Sequence, residues 1–280
     1  MSKRFTYLLI DAPFLCHRAF HTTGDLDNGT TYGFLRAVLD LRQSFGTSAR
    51  TVFAFDGDGP CARTQLHSDY KDARREAYAK ESAENQVRRE LMRHETKQLR
   101  DAHLLAMGFA NVFHQDGREA DDIIAAVATS LASRSSTESV VIVTADKDLY
   151  QCVGDRVCVY NPINRKTFNA KDAGAEGMDG QRYRHVKAIA GCRTDGVRGV
   201  HGVGEKTARL FVQGKLAPEK KAYNRIVAAA STTVARNAHL VGLPFAGTKP
   251  PKLRPDAVTP EKWDAVVESL NLMSLRGKWA

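Results

Sequence analysis

The apolar residues fall into short blocks with two different spacings. Residues 5–10 form a compact run rich in β-formers that closes on Asp11, and residues 51–55 form a second that closes on Asp56. A Val/Ile run at 139–143 forms a third. Runs this short and this rich in branched and aromatic residues predict buried strands. Between them the spacing changes. Asn28-Gly29 marks a turn, after which Phe34, Val38, Leu41 and Phe45 recur at helical intervals, as do the apolar positions of 120–131. Residues 60–106 are polar and helix-favouring, with no strong β run. Strands separated by helices predict an α/β fold with a parallel sheet and helices on its faces. Beyond about residue 170 the strand signal fades. Segment 171–180 reads as a connector, followed by short helices with Gly-rich turns. Five prolines within 244–260 predict an extended loop, and 261–275 resumes a helical pattern.

Charge sharpens this picture. The 280 residues carry 41 Lys+Arg and 32 Asp+Glu, a net of +9. Segment 181–226 holds 11 of the basic and only 3 of the acidic residues, so the remainder is almost neutral. A concentrated basic region points to a polyanion, and its simplest alternative is a solvated face. The basic residues are interspersed with glycines and not set opposite an apolar helix face, which argues against a membrane surface. At 42% hydrophobic, the chain has ample material for a core, which excludes disorder and disulfide-stapled miniproteins. Cys16, Cys61, Cys152, Cys158 and Cys192 show no C-x-x-C spacing and fit a reducing cytoplasm. The N-terminal apolar run is too short for a secretion signal, and no run spans a bilayer.

Acids cluster where the strands end. Asp11, Asp56, and the pair Asp146 and Asp148 each follow an apolar run. In an open parallel sheet the crevice lies beyond those ends. Glu119, Asp121 and Asp122 open a helix. The three-residue spacing puts Glu119 and Asp122 on one face and Asp121 elsewhere. Asp146 and Asp148 share a side of an extended segment. Singly, such acids start turns or complement helix dipoles. Jointly they would repel one another unless cations neutralised them. Hard oxygen donors suit Mg²⁺ or Mn²⁺, and so many carboxylates suggest two ions, the arrangement used in phosphoryl transfer.

Inside the basic segment, residues 199–208 read Gly-Val-His-Gly-Val-Gly-Glu-Lys-Thr-Ala. This resembles the turn of a helix–hairpin–helix. Its glycines let backbone approach a phosphate, the next helix offers free N–H groups, and Lys206 and Thr207 add donors. Arg193, Arg198, Arg209 and Lys215 flank it. Such a loop holds a nucleic-acid backbone without reading sequence. It is not a Walker loop, because the upstream glycine and strand are missing.

Four motifs in order, Phe55-Asp56-Gly57, Glu119-Ala-Asp-Asp122, Thr144-Ala-Asp146-Lys-Asp148 and the 199–208 hairpin, resemble the 5′-nuclease family. That family includes flap endonucleases, phage 5′→3′ exonucleases and the 5′-nuclease domain of bacterial DNA polymerase I. The resemblance runs from about residue 7 to about residue 211. It implies a PIN-like core over 1–175 with a helical arch at about 60–106. It also implies a helical DNA-binding region over 176–280, with the helix–hairpin–helix at about 186–215. The implied activity is metal-dependent hydrolysis of DNA, or of RNA–DNA hybrids, at 5′ ends, nicks or flap junctions. The implied protein is a free-standing monomer in a bacterial cytoplasm, or a phage protein in its host's.

The resemblance also implies roles. Asp11, Asp56, Glu119, Asp121 and Asp122 would surround a first ion, and Asp146, Asp148 and Asp195 a second, with K⁺ at the hairpin. Tyr70, Lys71 and Arg74 match the segment at the arch base, where Lys71 and Arg74 would contact the scissile phosphate. Tyr70, Arg193, Arg198, Gly199, Gly202, Gly204, Lys206 and Thr207 would contact DNA. One departure stands out. Cys192 occupies a position where the family carries an acid, and a thiol is a poor Mg²⁺ ligand; Gly196 replaces the usual Asn. Two alternatives stay open: a non-catalytic DNA-binding protein on this scaffold, and a PIN-like ribonuclease.

Overall fold

The first apolar run becomes β1 (Tyr7–Asp11), buried along its whole length. It leads into α1 (Ala12–Thr23), α2 (Gly29–Phe45) and β2 (Arg50–Ala54). The structure is a computed structural model that describes residues 5–134 and 137–279. The basic start at residues 1–4 lies outside the described residues. The polar segment after β2 folds as α3 (Arg63–Leu66), α4 (Asp72–Ala79), α5 (Ala83–Gln98), a π-helical turn at Leu99–His103 and α6 (Leu104–Ala106). Next come β3 (Val112–Phe113), α7 (Ala120–Arg134), β4 (Val140–Val143), a 3₁₀ turn at Lys147–Cys152, β5 (Val157–Asn161) and β6 (Lys166–Phe168).

The sheet order is β3-β2-β1-β4-β5-β6. The first five strands are parallel, as the alternation of elements predicts. The edge strand β6 is the exception in a mostly parallel sheet. It runs antiparallel to β5, because a tight hairpin joins them without a crossover. Alternate residues face opposite layers. Leu8, Ile10, Phe53 and Val141 pack against α1 and α2 through Leu15, Phe34 and Val38. Leu9, Val52, Val140 and Ile142 pack against Ile123, Ile124 and Val127 of α7.

The expected connector at 171–180 is partly helical. Asn169 and Asp172 form a reciprocal capping box that starts α8 (Ala170–Ala175) despite the nearby glycines. The 176–280 region divides in the structure. Its first part holds α9 (Gly180–Ala190), the short strands β7 (Gly191–Cys192) and β8 (Val197–Arg198), α10 (Glu205–Val212), α11 (Lys221–Ala228) and α12 (Ala235–Val241). Tyr183, Val186, Ile189, Val203, Ala208 and Ile226 give this part its own core. Residues 244–259 carry no helix or strand, as their prolines predict. Then α13 (Pro260–Ser269) returns to the sheet. Its stripe of Trp263, Val266 and Val267 is spaced to form one apolar face, and that face joins the Leu8–Phe53 core. Among the described residues, no helix is long and apolar enough to cross a membrane.

Candidate metal centre and nucleic-acid interface

The carboxyl ends of β1, β2 and β4 bring their acids together. Asp11 ends β1 and caps α1. It accepts a hydrogen bond from the Phe14 N–H (3.0 Å) and another from Thr144 Oγ1 (2.7 Å). Asp56 accepts one from the Ala120 N–H (2.9 Å), tying the end of β2 to the start of α7. Asp11, Asp56, Glu119, Asp121, Asp146, Asp148 and Asp195 line one cleft of about 500 Å³, with Lys71, Arg74 and Lys187 among them.

Crowding carboxylates in a buried cleft disfavours their charged forms. Burial, with the charges of Asp56 and Asp146 adding to it, pushes Asp11 up to about 7 against the hydrogen bonds it accepts. Asp121 is raised well above the usual range by burial and by Asp11 and Asp146. Burial also raises Asp56. Glu119 is the exception. Burial pushes it up, but Lys71 and Arg63 outweigh that and hold it below the usual range. Its partners are Arg63 Nη1 (2.9 Å), the Tyr70 hydroxyl (2.9 Å) and the Lys71 ammonium.

Asp122 does not line the cleft with the others, which corrects its expected place around the first ion, although it shares Arg63 Nη1 with Glu119. It is fully buried, and both oxygens are taken. Oδ1 accepts from Arg63 Nη2 (2.7 Å) and the Phe245 N–H (2.8 Å). Oδ2 accepts from Arg63 Nη1 (2.6 Å) and the Glu119 N–H (3.1 Å). Glu119 precedes the first helical residue, so helical spacing does not govern its direction. Asp122 instead closes the helix N-terminus, and Asp121 faces the cleft.

The second group lies across the cleft. Asp146 accepts from the Asp148 N–H (2.7 Å), and Asp148 Oδ1 lies 2.7 Å from Lys187 Nζ on α9. Burial and Asp146 raise Asp148, with Lys187 opposing. Ligand atoms of Asp148, Cys192 and Asp195 lie within 4.8 Å of one another. Cys192 Sγ is 3.1 Å from both Asp195 Oδ2 and Thr194 Oγ1. Burial and Asp195 push this thiol up to about 11. The first group offers only hard oxygen donors whose mutual repulsion a divalent cation would relieve, so it fits Mg²⁺ or Mn²⁺. The second offers three carboxylates and a thiol, of which Asp148, Asp195 and Cys192 stand together.

Lys71 and Arg74 stand at the rim. The Lys71 N–H bonds the Asp195 carbonyl (2.9 Å), and Arg74 Nη2 lies 3.6 Å from Asp195 Oδ1. Gly196 sits beneath this contact with φ +72°, where a Cβ would meet the Asp69 carbonyl at 2.6 Å. Only glycine fits both constraints. Tyr70 is only 5% exposed; its hydroxyl positions Glu119, and its ring is not presented to solvent. Helices α4 and α5, in the expected arch, have no buried residue.

The hairpin is a separate surface. Val200 and Val203 anchor it, while Gly202, Gly204 and Lys206 are exposed and Thr207 is half-buried. Gly202 has φ +70°, a conformation that favours glycine. Arg193 and Arg198 are exposed nearby, whereas Arg209 is tied to Glu176 (2.8 Å) and Glu205 (3.0 Å). Sequence reasoning missed Arg63, Thr144 and Lys187. A lysine or arginine on a polar helix carries no signal that separates a buried ion pair from a solvated face.

A family model described as the 5′–3′ exonuclease N-terminal resolvase-like domain matches residues 6–178. The chain is 31% identical over 214 residues to the thermostable DNA polymerase I of Thermus aquaticus, covering 74% of this chain and 23% of the polymerase. It therefore spans less than a quarter of that relative. It is 29% identical over 210 residues to a 5′–3′ exonuclease of Aquifex aeolicus, covering 72% and 67%. The fold is similar to that of the bacteriophage T5 flap endonuclease in a pseudo-enzyme–product complex with DNA and metal ions. The TM-score is 0.71 at 21% identity, over 95% of this chain and 99% of that one. The resemblance carried by the four motifs is borne out, and the chain belongs to the 5′–3′ exonuclease family.

Proposed function

We propose that this protein hydrolyses phosphodiester bonds of DNA at 5′ ends or flap junctions, using divalent ions held by its cleft. One observation supports this above all: seven carboxylates drawn from separate elements line one cleft whose rim carries Lys71 and Arg74. Asp11, Asp56, Glu119 and Asp121 would hold a first Mg²⁺ or Mn²⁺, and Asp146, Asp148 and Asp195 would serve a second position. Ions bound there would supply an activated water and offset charge on the phosphate. Lys71 and Arg74 orient and stabilise the scissile phosphate. Tyr70 and Arg63 hold Glu119 in place. The hairpin of Gly199, Gly202, Gly204, Lys206 and Thr207, with K⁺ at its turn, grips the duplex backbone beside Arg193 and Arg198. The arch admits the single-stranded 5′ end. RNA–DNA hybrids are a further substrate, and the working form is a cytoplasmic monomer.

The test is cleavage of a 5′-flap duplex with Mg²⁺ or Mn²⁺. Short products are expected, and Asp146→Ala abolishes them. An intact substrate with every ion tried, or an unchanged rate in the variant, overturns the reading. Cys192 motivates the second reading, a DNA-binding protein without catalysis. Tight flap binding that survives EDTA, with no cleavage, would favour it.

A further inference from the structure

The second cation position differs in kind from the first. Of the groups around it, Asp148, Cys192 and Asp195 have ligand atoms within 4.8 Å of one another, a cluster that does not include Asp146. Cys192 is buried between two of its own neighbours, with Sγ 3.1 Å from Asp195 Oδ2. A cation already stands there, because the Lys187 ammonium lies 2.7 Å from Asp148 Oδ1. In the first group the Lys71 ammonium holds the corresponding place at Glu119.

Mg²⁺ demands an octahedral shell of oxygens and sheds water reluctantly. Replacing one oxygen by sulfur removes the donor it favours. Zn²⁺ and Cd²⁺ accept thiolate and carboxylate together. With Zn–O about 2.0 Å and Zn–S about 2.3 Å, a tetrahedron sets these ligands roughly 3.3–3.5 Å apart. The Sγ–Oδ2 pair already stands near that separation, and the cluster closes by a movement of about 1 Å. Three protein ligands leave one position open, as in hydrolytic zinc sites. Binding breaks the Sγ–H bond, releases the proton to solvent and forms an Sγ–metal bond. Asp148 turns from Lys187 to the ion.

We infer that the second cation position of this cleft is a thiol–dicarboxylate site, selective for a thiophilic divalent ion over Mg²⁺, with Lys187 standing in while no ion is bound. This rests on the reading above that Asp148 and Asp195 face a cation.

Cd²⁺ titration of the full-length chain tests it, because a thiolate–cadmium bond gives an ultraviolet charge-transfer band. The expected result is a saturable band that survives excess Mg²⁺. Cys192→Ser, nearly isosteric, should lose the band and weaken Cd²⁺ binding by about tenfold or more, since even outer partners of a metal carry that much. Cys192→Asp should lose the band and gain Mg²⁺ affinity. Asp195→Asn should weaken Cd²⁺ while its melting temperature shows that the chain is folded. Absence of a band overturns the inference, as does a band that persists in Cys192→Ser or is displaced by Mg²⁺ at comparable concentration. The two readings fail separately. Loss of flap cleavage with the band intact strikes the nuclease reading alone. Cleavage with no band strikes this one alone.

Discussion

Lys71 and Glu119 are joined by an ion pair across the mouth of the cleft, although 48 positions separate them in the chain. The pair couples the arch base to the helix that follows β3. On the function proposed above it also sets a condition, because Lys71 would have to share itself between Glu119 and an incoming phosphate. Lys71→Ala is expected to slow flap cleavage roughly 10²–10³-fold, the range for removing one donor to developing charge. Single-turnover rates at saturating enzyme check this. Equal rates for the variant and the wild type would remove Lys71 from the chemistry.

Adjacent residues on α7 should give opposite results. Asp122→Ala removes the two-pronged partner of the buried Arg63 guanidinium and leaves it Glu119 alone, which costs about 3–5 kcal/mol of stability. Asp121→Asn removes a repelled charge, so the metal-free protein should melt no lower than wild type while cleavage is lost. Thermal melts beside cleavage assays separate the two. An Asp122→Ala protein that melts like wild type would show that the Arg63 pair is not structural.

Stability should fall with rising pH in the absence of metal. The Asp11 carboxyl, pushed up to about 7, binds its proton more tightly in the folded chain than in the unfolded one. Its contribution is therefore full below about pH 4 and is lost as the pH rises through about 7. Asp56, Asp121 and Asp148 shift in the same direction. Divalent ions should raise the melting temperature more at about pH 8 than at about pH 6, since the ionised forms are the ligands. Asp11→Asn should flatten this dependence. A metal effect equal at both pH values would contradict the account.

The hairpin should act on affinity and not on metal. Lys206→Ala is expected to weaken duplex binding and reduce the slope of log affinity against log salt by about 1, as for loss of one phosphate contact. Gly202→Ala strains a backbone at φ +70° and should weaken binding at every salt concentration. Both variants should keep the wild-type metal-induced melting shift. A salt slope unchanged in Lys206→Ala would place the duplex elsewhere.

Much of this site was legible because Asp11, Asp56 and Asp146 each close an apolar strand, and parallel strands put such ends side by side. The strand order was not legible, since pairing is decided by packing between distant segments. The two-residue β3 lacks periodicity altogether, and α8 was hidden by glycines whose cost its capping box offsets. Asp121 and Asp122, both expected around one ion, part because the helix begins one residue later than Glu119, so Asp121 lines the cleft and Asp122 does not. Lys187 and Arg63 were invisible for a different reason. Their partners come from other elements, so nothing near them in the chain announces an ion pair.

The return of α13 to the sheet has a consequence for biosynthesis. Trp263 fills the core that Leu8 and Phe53 began, yet the whole hairpin region is translated before it. On the ribosome, the sheet must wait with an open apolar face until about 200 further residues have followed β2. A chain stopped just after α12 would carry the hairpin region and its own core complete while the core of the sheet lacked Trp263. On the function proposed above, the part that would hold the substrate is ready before the part that would cut it.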